Sequence, residues 1–254
     1  MLILLFSMLF KLLSGGPSDV FQIPHLEKEI KANVLDDERK DQLLDLVKGA
    51  KQQSKDYMKF RSKQVKLMKK YSADRTIASA KMLDLFNSYH SKRLVLQDSM
   101  ISYRLQFQDL FTDEEWNSVI GKAEFPSGNK VNKQEKAEQK ANDAIDKIFS
   151  EIDKSIVKNI SDTTKRKEVL VSMSGFEAIF YEFNLLGQSM NYTDKEYMKN
   201  RTLVKADLDG FYDDQNDLRV KGMDAFLAFR DAGIKNTEEG EWKAIMKELK
   251  DLFN

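Results

Sequence analysis

Residues that could carry acid–base or nucleophilic chemistry are few in this chain and lie far apart. There are two histidines, His25 and His90, and no cysteine. Neither histidine has a second ligand at the HxxxH, HExxH or Glu-x-x-His spacing, and no GxSxG, Walker A or GxGxxG pattern occurs. His90 lies beside an apolar helix position, which is typical of a packed or surface histidine. The sequence therefore predicts a protein that is not an enzyme and holds no cofactor.

An acidic run is the one group of side chains that resembles a cation site. Its members are Asp207, Asp209, Asp213, Asp214 and Asp217. An EF-hand loop needs Gly at loop position 6 and Glu at position 12, whereas Gly210 would be fourth here. On a helix, Asp209, Asp213 and Asp217 instead share one face. We interpret the run as a solvated stripe and expect no metal site, with a carboxylate metal-binding bundle as an alternative.

The stretch from Met82 to Leu110 indicates which elements position these residues. Apolar or aromatic side chains recur there at alternating steps of four and three, with Arg93 as the single polar exception, and neither Gly nor Pro interrupts it. This period predicts one long helix with a continuous buried seam. Because the chain has only 3 Pro and 11 Gly, we predict an all-α fold, an extended antiparallel bundle of long, coiled-coil-like helices.

A second seam with the same alternation follows 122 residues later. Its positions are Val204, Leu208, Phe211, Gln215, Leu218, Gly222, Ala225 and Phe229. In this register Arg93 corresponds to Gln215, and each seam is followed by a segment that contains one of the two tryptophans. The pattern predicts two degenerate repeats of a unit of two long helices and one short helix. The alternative is that any two amphipathic helices align this well.

Pro and Gly positions and capping signals suggest how the chain is divided. We expect a helical hairpin plus a short helix over 24–124, a linker over 125–132, and a second hairpin plus a short helix over 133–254. Breaks are predicted near 34–36, at 72–74, at 161–162 and at 192–194. Thr112 with Glu115, and Thr193 with Glu196, have the spacing of a capping box.

The N-terminus is the segment with a membrane signature. Residues 2–13 are apolar except Ser7 and Lys11. This apolar segment is shorter than the roughly twenty residues that a spanning helix needs. A cleaved signal peptide, a retained anchor and a helix lying in the membrane plane are all compatible with it, and we favour retention. The side chains expected to contact the membrane are Leu2, Ile3, Leu4, Leu5, Phe6, Leu9, Phe10, Leu12 and Leu13.

Charge balance limits the partners. Lys plus Arg and Asp plus Glu number 41 each, so no large single-sign field is available to hold nucleic acid, and we expect no nucleic acid to bind.

Arg93 is the charged residue within an otherwise apolar seam, and a guanidinium there must reach a polar group or water. It is therefore either structural or part of a polar docking site. Leftover apolar positions, such as Leu94, Leu105 and Val220, could mediate formation of a homo-oligomer.

The segment from Leu35 to Ile120 resembles the LTxxQ-motif periplasmic proteins of bacteria, of the Spy and CpxP kind. In that family a long helix starts at one motif copy and a second long helix returns to another. Here Leu35-Asp36-Asp37-Glu38-Arg39 and Phe111-Thr112-Asp113-Glu114-Glu115 occupy those places, although both copies depart from the motif. The resemblance implies a protein-binding hairpin. Its charged surface would include Lys55, Lys59, Arg61, Lys63 and Lys66, together with Lys69 and Lys70.

The favoured function is a non-enzymatic, membrane-associated adaptor or accessory subunit that binds other proteins of the bacterial envelope. We expect it at the inner membrane, facing the periplasm. A soluble periplasmic chaperone or stress sensor of the Spy and CpxP kind is the second hypothesis, and the carboxylate metal-binding bundle is the third.

Overall fold

The computed structural model describes residues 21, 23, 25–122 and 131–252, with side chains at 131–138, 141, 187–198 and 247–252 outside that description. Within those ranges the chain is all-α, as predicted, with eight α-helices and no strand. The helices are α1 (Leu26–Asn33), α2 (Asp37–Ala73), α3 (Ser79–Leu110), α4 (Asp113–Trp116), α5 (Val131–Asn159), α6 (Thr163–Lys199), α7 (Lys205–Asn236) and α8 (Glu239–Leu252). A short π-helical turn, Asn117–Gly121, follows α4. The apolar stretch 2–13 lies outside the described residues.

Capping side chains fix several of the helix starts. The Asp36 carboxylate accepts from the Arg39 backbone N–H and begins α2. Thr112 and Glu115 form the predicted capping box at α4. In the turn before α3, Asp74 accepts from both the N–H and the hydroxyl of Thr76, and the helix begins at Ser79, five residues after Asp74. A side chain that satisfies a turn cannot also cap the next helix.

The predicted turn at 192–194 is wrong. Tyr192-Thr193-Asp194 lies inside α6, which continues to Lys199. Neither Gly nor Pro is present there, and a capping signal alone does not stop a helix whose flanking residues continue it. The turn comes at Asn200, whose side-chain oxygen accepts from the N–H and hydroxyl of Thr202. The predicted linker over 125–132 also overlaps the start of α5 at Val131.

Four long helices form the centre of the molecule. α2 packs against α3, α6 against α7, and α3 lies beside α7. Polar contacts between Arg93 and Asn216, and between Asp98 and Lys205, show that α3 and α7 run antiparallel. The main core contains side chains from both ends of the chain, including Tyr57, Phe86, Phe176, Phe226 and Trp242, so the two hairpins share one core. Most predicted seam positions are buried, among them Met82, Phe86, Tyr89, Met100, Phe107, Leu208, Leu218 and Phe229. Val204 is wrong as a seam position, because it precedes the first residue of α7 and is 58% exposed.

Helix bounds recur along the chain at a constant spacing. α2 and α6 are both 37 residues long and start at Asp37 and Thr163, 126 positions apart. α3 and α7 are both 32 residues long and start at Ser79 and Lys205, again 126 apart. Trp116 and Trp242 have the same separation. We call 26–122 the first half and 152–248 the second half, and residues 126 apart counterparts. The 122-residue register of the sequence is offset from this spacing by one helical turn.

Candidate functional site

A row of lysines covers the outer face of α2. Lys48, Lys51, Lys55, Lys59, Lys63, Lys66 and Lys70 are all exposed. They recur at steps of three and four, which places them on one helix face. We call this row the basic stripe. It covers 23 positions, or roughly 33 Å at 1.5 Å per residue.

Few ion pairs neutralise the basic stripe. Lys51 lies 2.5 Å from Glu27, and Lys59 lies 3.5 Å from Asp56. Within the described part of the chain the other five lysines make no ion pair. Exposed Met58 and Leu67 flank the row, and Arg61, predicted with these lysines, is half-buried and directs its guanidinium to the Met58 sulfur at 3.6 Å. The face is therefore strongly positive, with apolar edges.

The opposite face of α2 is held rigidly against α3. Leu43, Val47 and Ala50 are fully buried there. Gly49 lies under the Tyr103 ring, where an added Cβ would come within 2.8 Å of the hydroxyl oxygen. Further along, the Tyr57 hydroxyl donates to the Tyr89 hydroxyl at 2.9 Å in the interior. Because this face is fixed, the basic stripe is presented on a well-packed support.

Arg93 does not lie with the lysines. It is 3% exposed, between α3 and α7, and donates to the Asn216 side-chain oxygen at 2.6 Å and to Gln97 at 3.2 Å. Its counterpart, Arg219, donates to the same Asn216 oxygen at 3.0 Å. Burial lowers the pKa of both guanidinium groups, and the charge of Arg93 lowers that of Arg219 further. Arg93 is thus a buried arginine that bonds side-chain amides, rather than part of a docking surface with the lysines.

Four other arginines join the two halves, and the sequence did not suggest them. Arg75 donates to the carbonyls of Thr237 and Ile234, and its counterpart Arg201 donates to those of Phe111 and Gln108. Thr237 and Ile234 are themselves the counterparts of Phe111 and Gln108. Each half thus supplies an arginine to the C-terminal end of the other half's long helix, where cations are favourable.

The buried arginines Arg104 and Arg230 repeat this exchange. Arg104 donates to the Asn200 carbonyl at 3.0 Å, and Arg230 donates to the Asp74 carbonyl at 2.7 Å. Burial lowers the pKa of Arg104 to about 9. In both exchanges, the contact that one half makes to the other is repeated in reverse by the counterpart residues. Reciprocal contacts of this kind are the pattern of an isologous interface. The signal in the sequence is the recurrence of Arg-Thr at 75–76 and 201–202 and of Arg at 104 and 230.

Three members of the acidic run, Asp209, Asp213 and Asp217, lie on the outer face of α7, whereas Asp207 and Asp214 lie off that face. Asp213, Asp217, Asp224 and Asp231 are exposed and Asp209 is half-buried, and these five share one helix face. We call them the acidic stripe. Among the residues described, no group of three or more His, Asp or Glu side chains is arranged to hold a metal ion. His90 is half-buried on α3, where burial and the charges of Arg93 and Arg219 lower its pKa.

The remaining predicted positions are divided between surface and interior. Leu94 and Val220, which are counterparts, are exposed, whereas Leu105 packs on the small cluster around Ile101 and Tyr212. Thr163–Leu186 of α6 is the one described segment long and apolar enough to cross a membrane. Its residues Val169, Met173, Phe176 and Phe180 belong to the main core.

Comparison with known proteins gives no relative, since no family model, no curated protein and no solved structure matches the chain.

Proposed function

We propose that the chain is a non-enzymatic helical adaptor of the bacterial envelope that binds acidic surfaces of other proteins through the basic stripe of α2. The observation that carries this proposal is a face of seven exposed lysines, five of which make no ion pair in the described part of the chain. A protein surface rich in carboxylates would supply the missing charges. Met58 and Leu67 at the edges add apolar area to such a contact.

The second half supports the view that the fold does not need these lysines. Their counterparts in α6 are Ser174, Glu177, Tyr181, Leu185, Ser189, Tyr192 and Glu196. α6 is the same length as α2 and packs on α7 as α2 packs on α3, with no lysine in that row. Charge that a matching helix lacks is not a folding requirement, which favours a binding role.

Membrane association is part of the same proposal. Its supports are the apolar N-terminal residues 2–13 and the length and composition of Thr163–Leu186. We place the adaptor at the inner membrane, facing the periplasm. The N-terminal segment would hold the chain at the surface, leaving the basic stripe accessible to envelope proteins.

We infer further that the two halves are degenerate repeats of one unit. The supports are the coinciding helix bounds and the reciprocal contacts of Arg75 with Arg201 and of Arg104 with Arg230. Such a repeat would explain how one half could acquire a binding surface while the other kept the shared core.

Site-specific photo-crosslinking in cells tests the adaptor function. A photoreactive amino acid replaces Lys59 in one strain and its exposed counterpart Leu185 in a matched control. We expect position 59 to yield adducts with proteins through acidic segments identified by mass spectrometry, and position 185 to yield none of these. Adducts with lipid alone, or equal protein adducts from both positions, would contradict the proposal.

A periplasmic chaperone of the Spy and CpxP kind is the second candidate, and one contact favours it. Arg39, in the first motif-like segment, donates to Glu115 in the second at 2.6 Å, and to the carbonyl of Leu110, just before the second segment, at 3.0 Å. The two segments thus lie together at one end of the α2–α3 hairpin. Light scattering of reduced insulin with and without the purified chain tests it: suppression of aggregation at substoichiometric ratios supports a chaperone, and unchanged scattering excludes this client activity.

A further inference from the structure

The acidic stripe of α7 and the basic stripe of α2 match in size. The acidic stripe runs from Asp209 to Asp231 and the basic stripe from Lys48 to Lys70, so both cover 23 positions and are roughly 33 Å long. An exposed apolar residue, Val220, lies in the acidic row, as Met58 and Leu67 flank the lysines. The two surfaces are therefore complementary in charge and equal in length.

The acidic charges, like the lysines, belong to one half alone. The counterparts of the acidic stripe in α3 are Leu83, Asn87, Ser91, Asp98 and Leu105. Only one of them carries a charge, although α3 and α7 have the same length. The carboxylates are thus no more required by the fold than the lysines of α2.

Most of the acidic stripe has no ion partner within the described residues. Asp209 pairs with Lys205 at 2.9 Å, and Asp231 lies 3.8 Å from Arg230. Asp213, Asp217 and Asp224 form no ion pair in the part of the chain that the structure describes. A chain that carries one positive and one negative row on different helices presents complementary surfaces to other copies of itself.

We infer that the acidic stripe of α7 docks on the basic stripe of α2 in a second copy of this chain. The inference rests on the proposed function, since it uses the same lysines, and it names a partner for them. Exposed ion pairs contribute little individually and are screened by salt. The contact is consequently weak, salt-sensitive and dependent on both rows.

Sedimentation velocity of the full-length chain in detergent tests the inference. We expect reversible association at low salt, with a dissociation constant that rises about tenfold or more between 50 and 500 mM NaCl. A Lys55→Glu/Lys63→Glu/Lys66→Glu variant and an Asp213→Lys/Asp217→Lys/Asp224→Lys variant should each be monomeric. An equimolar mixture of the two should associate, because the unchanged acidic stripe of the lysine variant can dock on the unchanged basic stripe of the aspartate variant.

A Lys92→Glu/Lys158→Glu/Lys167→Glu variant changes the net charge by the same amount as the lysine variant does, but at exposed positions outside both stripes. It should leave association unchanged. Circular dichroism checks that every variant is folded.

Several results would overturn self-docking. A wild-type chain that is monomeric at low salt, a lysine variant that still associates, or an equimolar mixture of the two variants that stays monomeric would each do so. None of these results alters the photo-crosslinking test at position 59, which reports on other proteins. The failure of self-docking and the failure of the adaptor function are therefore distinguishable.

Discussion

The two halves of the molecule each contain two long helices of matching length, but their surfaces and their packing at equivalent positions differ. In the first half Phe107 packs edge-on against Trp116, whose indole N–H donates to the Lys199 carbonyl at 2.7 Å. In the second half the counterpart of Phe107 is Gly233, and the Trp242 ring fills that space. Equivalent helix ends are thus held by different side chains. The lengths of the long helices and the arginine contacts between halves are therefore common to both, while local packing and surface charge differ.

The arginine contacts between halves should give the largest effect. Arg230, 1% exposed, donates to the carbonyls of Asp74 and Ile77 at 2.7 Å each. Arg230→Met removes these bonds and should lower the free energy of unfolding by about 3 kcal/mol. Urea denaturation should still show one transition, because both halves share a core. Arg104→Met is the matched variant; a loss under about 0.5 kcal/mol for both would contradict the assigned role.

Gly233 should be the next most sensitive position. An alanine Cβ there would lie 2.2 Å from the Trp242 ring, so Gly233→Ala should destabilise the protein by about 2 kcal/mol. The control is Gly210→Ala in the same helix, where no atom lies within 4 Å of the added Cβ. That change should stabilise the protein by about 0.5–1 kcal/mol, since alanine favours helix. Equal thermal shifts for the two variants would be inconsistent with the packing described.

Arg93 should tolerate an apolar replacement better than Arg230 does. It bonds side-chain amides and lies close enough to Arg219 for their charges to repel. Arg93→Met relieves this repulsion while losing hydrogen bonds, and we expect a change within about 1 kcal/mol in either direction. If chemical denaturation shows a loss as large as that of Arg230→Met, the charge of Arg93 is structurally essential instead.

A pH effect should be the smallest and should differ between halves. The hydrogen bond from Arg39 lowers the pKa of Glu115, followed by smaller effects of the Thr112 cap. A lowered folded-state pKa contributes stability above the unfolded-state pKa, and that stability is lost as pH falls through the folded-state value. Glu115→Gln should therefore reduce the loss of thermal stability on acidification. The control is Glu241→Gln at the counterpart of Glu115, whose carboxylate accepts from the Glu238 backbone N–H. We expect Glu241→Gln to have a smaller effect on the loss of thermal stability at low pH than Glu115→Gln has.

Much of the fold could be predicted from the sequence because local signals agree with it. The seam of α3, the break before Asp37 and the Thr112–Glu115 capping box all depend on neighbouring residues. The 126-residue spacing was missed because a shift of four residues keeps one apolar seam aligned with another. The 122-residue and 126-residue registers are distinguished only by scattered pairs of identical residues, such as Arg93 and Arg219, which lie 126 positions apart.

The site could be predicted in part. The lysine row is visible in the sequence because helix periodicity alone puts it on one face. The partners of the buried arginines could not be predicted, because a guanidinium that bonds backbone carbonyls leaves no complementary residue type in the sequence. Arg75 donates to the backbone carbonyls of Ile234 and Thr237, far away along the chain. Its one side-chain contact there is a longer one to the Thr237 hydroxyl, at 3.5 Å.

The central claim is that the basic stripe serves binding and not folding. The most direct measurement is the yield of protein adducts from a photoreactive residue at position 59. The yield is compared between the parent protein and its Lys55→Glu/Lys63→Glu/Lys66→Glu variant, in cells that contain the two at equal levels. We expect the adducts to disappear while the purified variant unfolds at the same urea concentration as the parent protein. Retained adducts would contradict it.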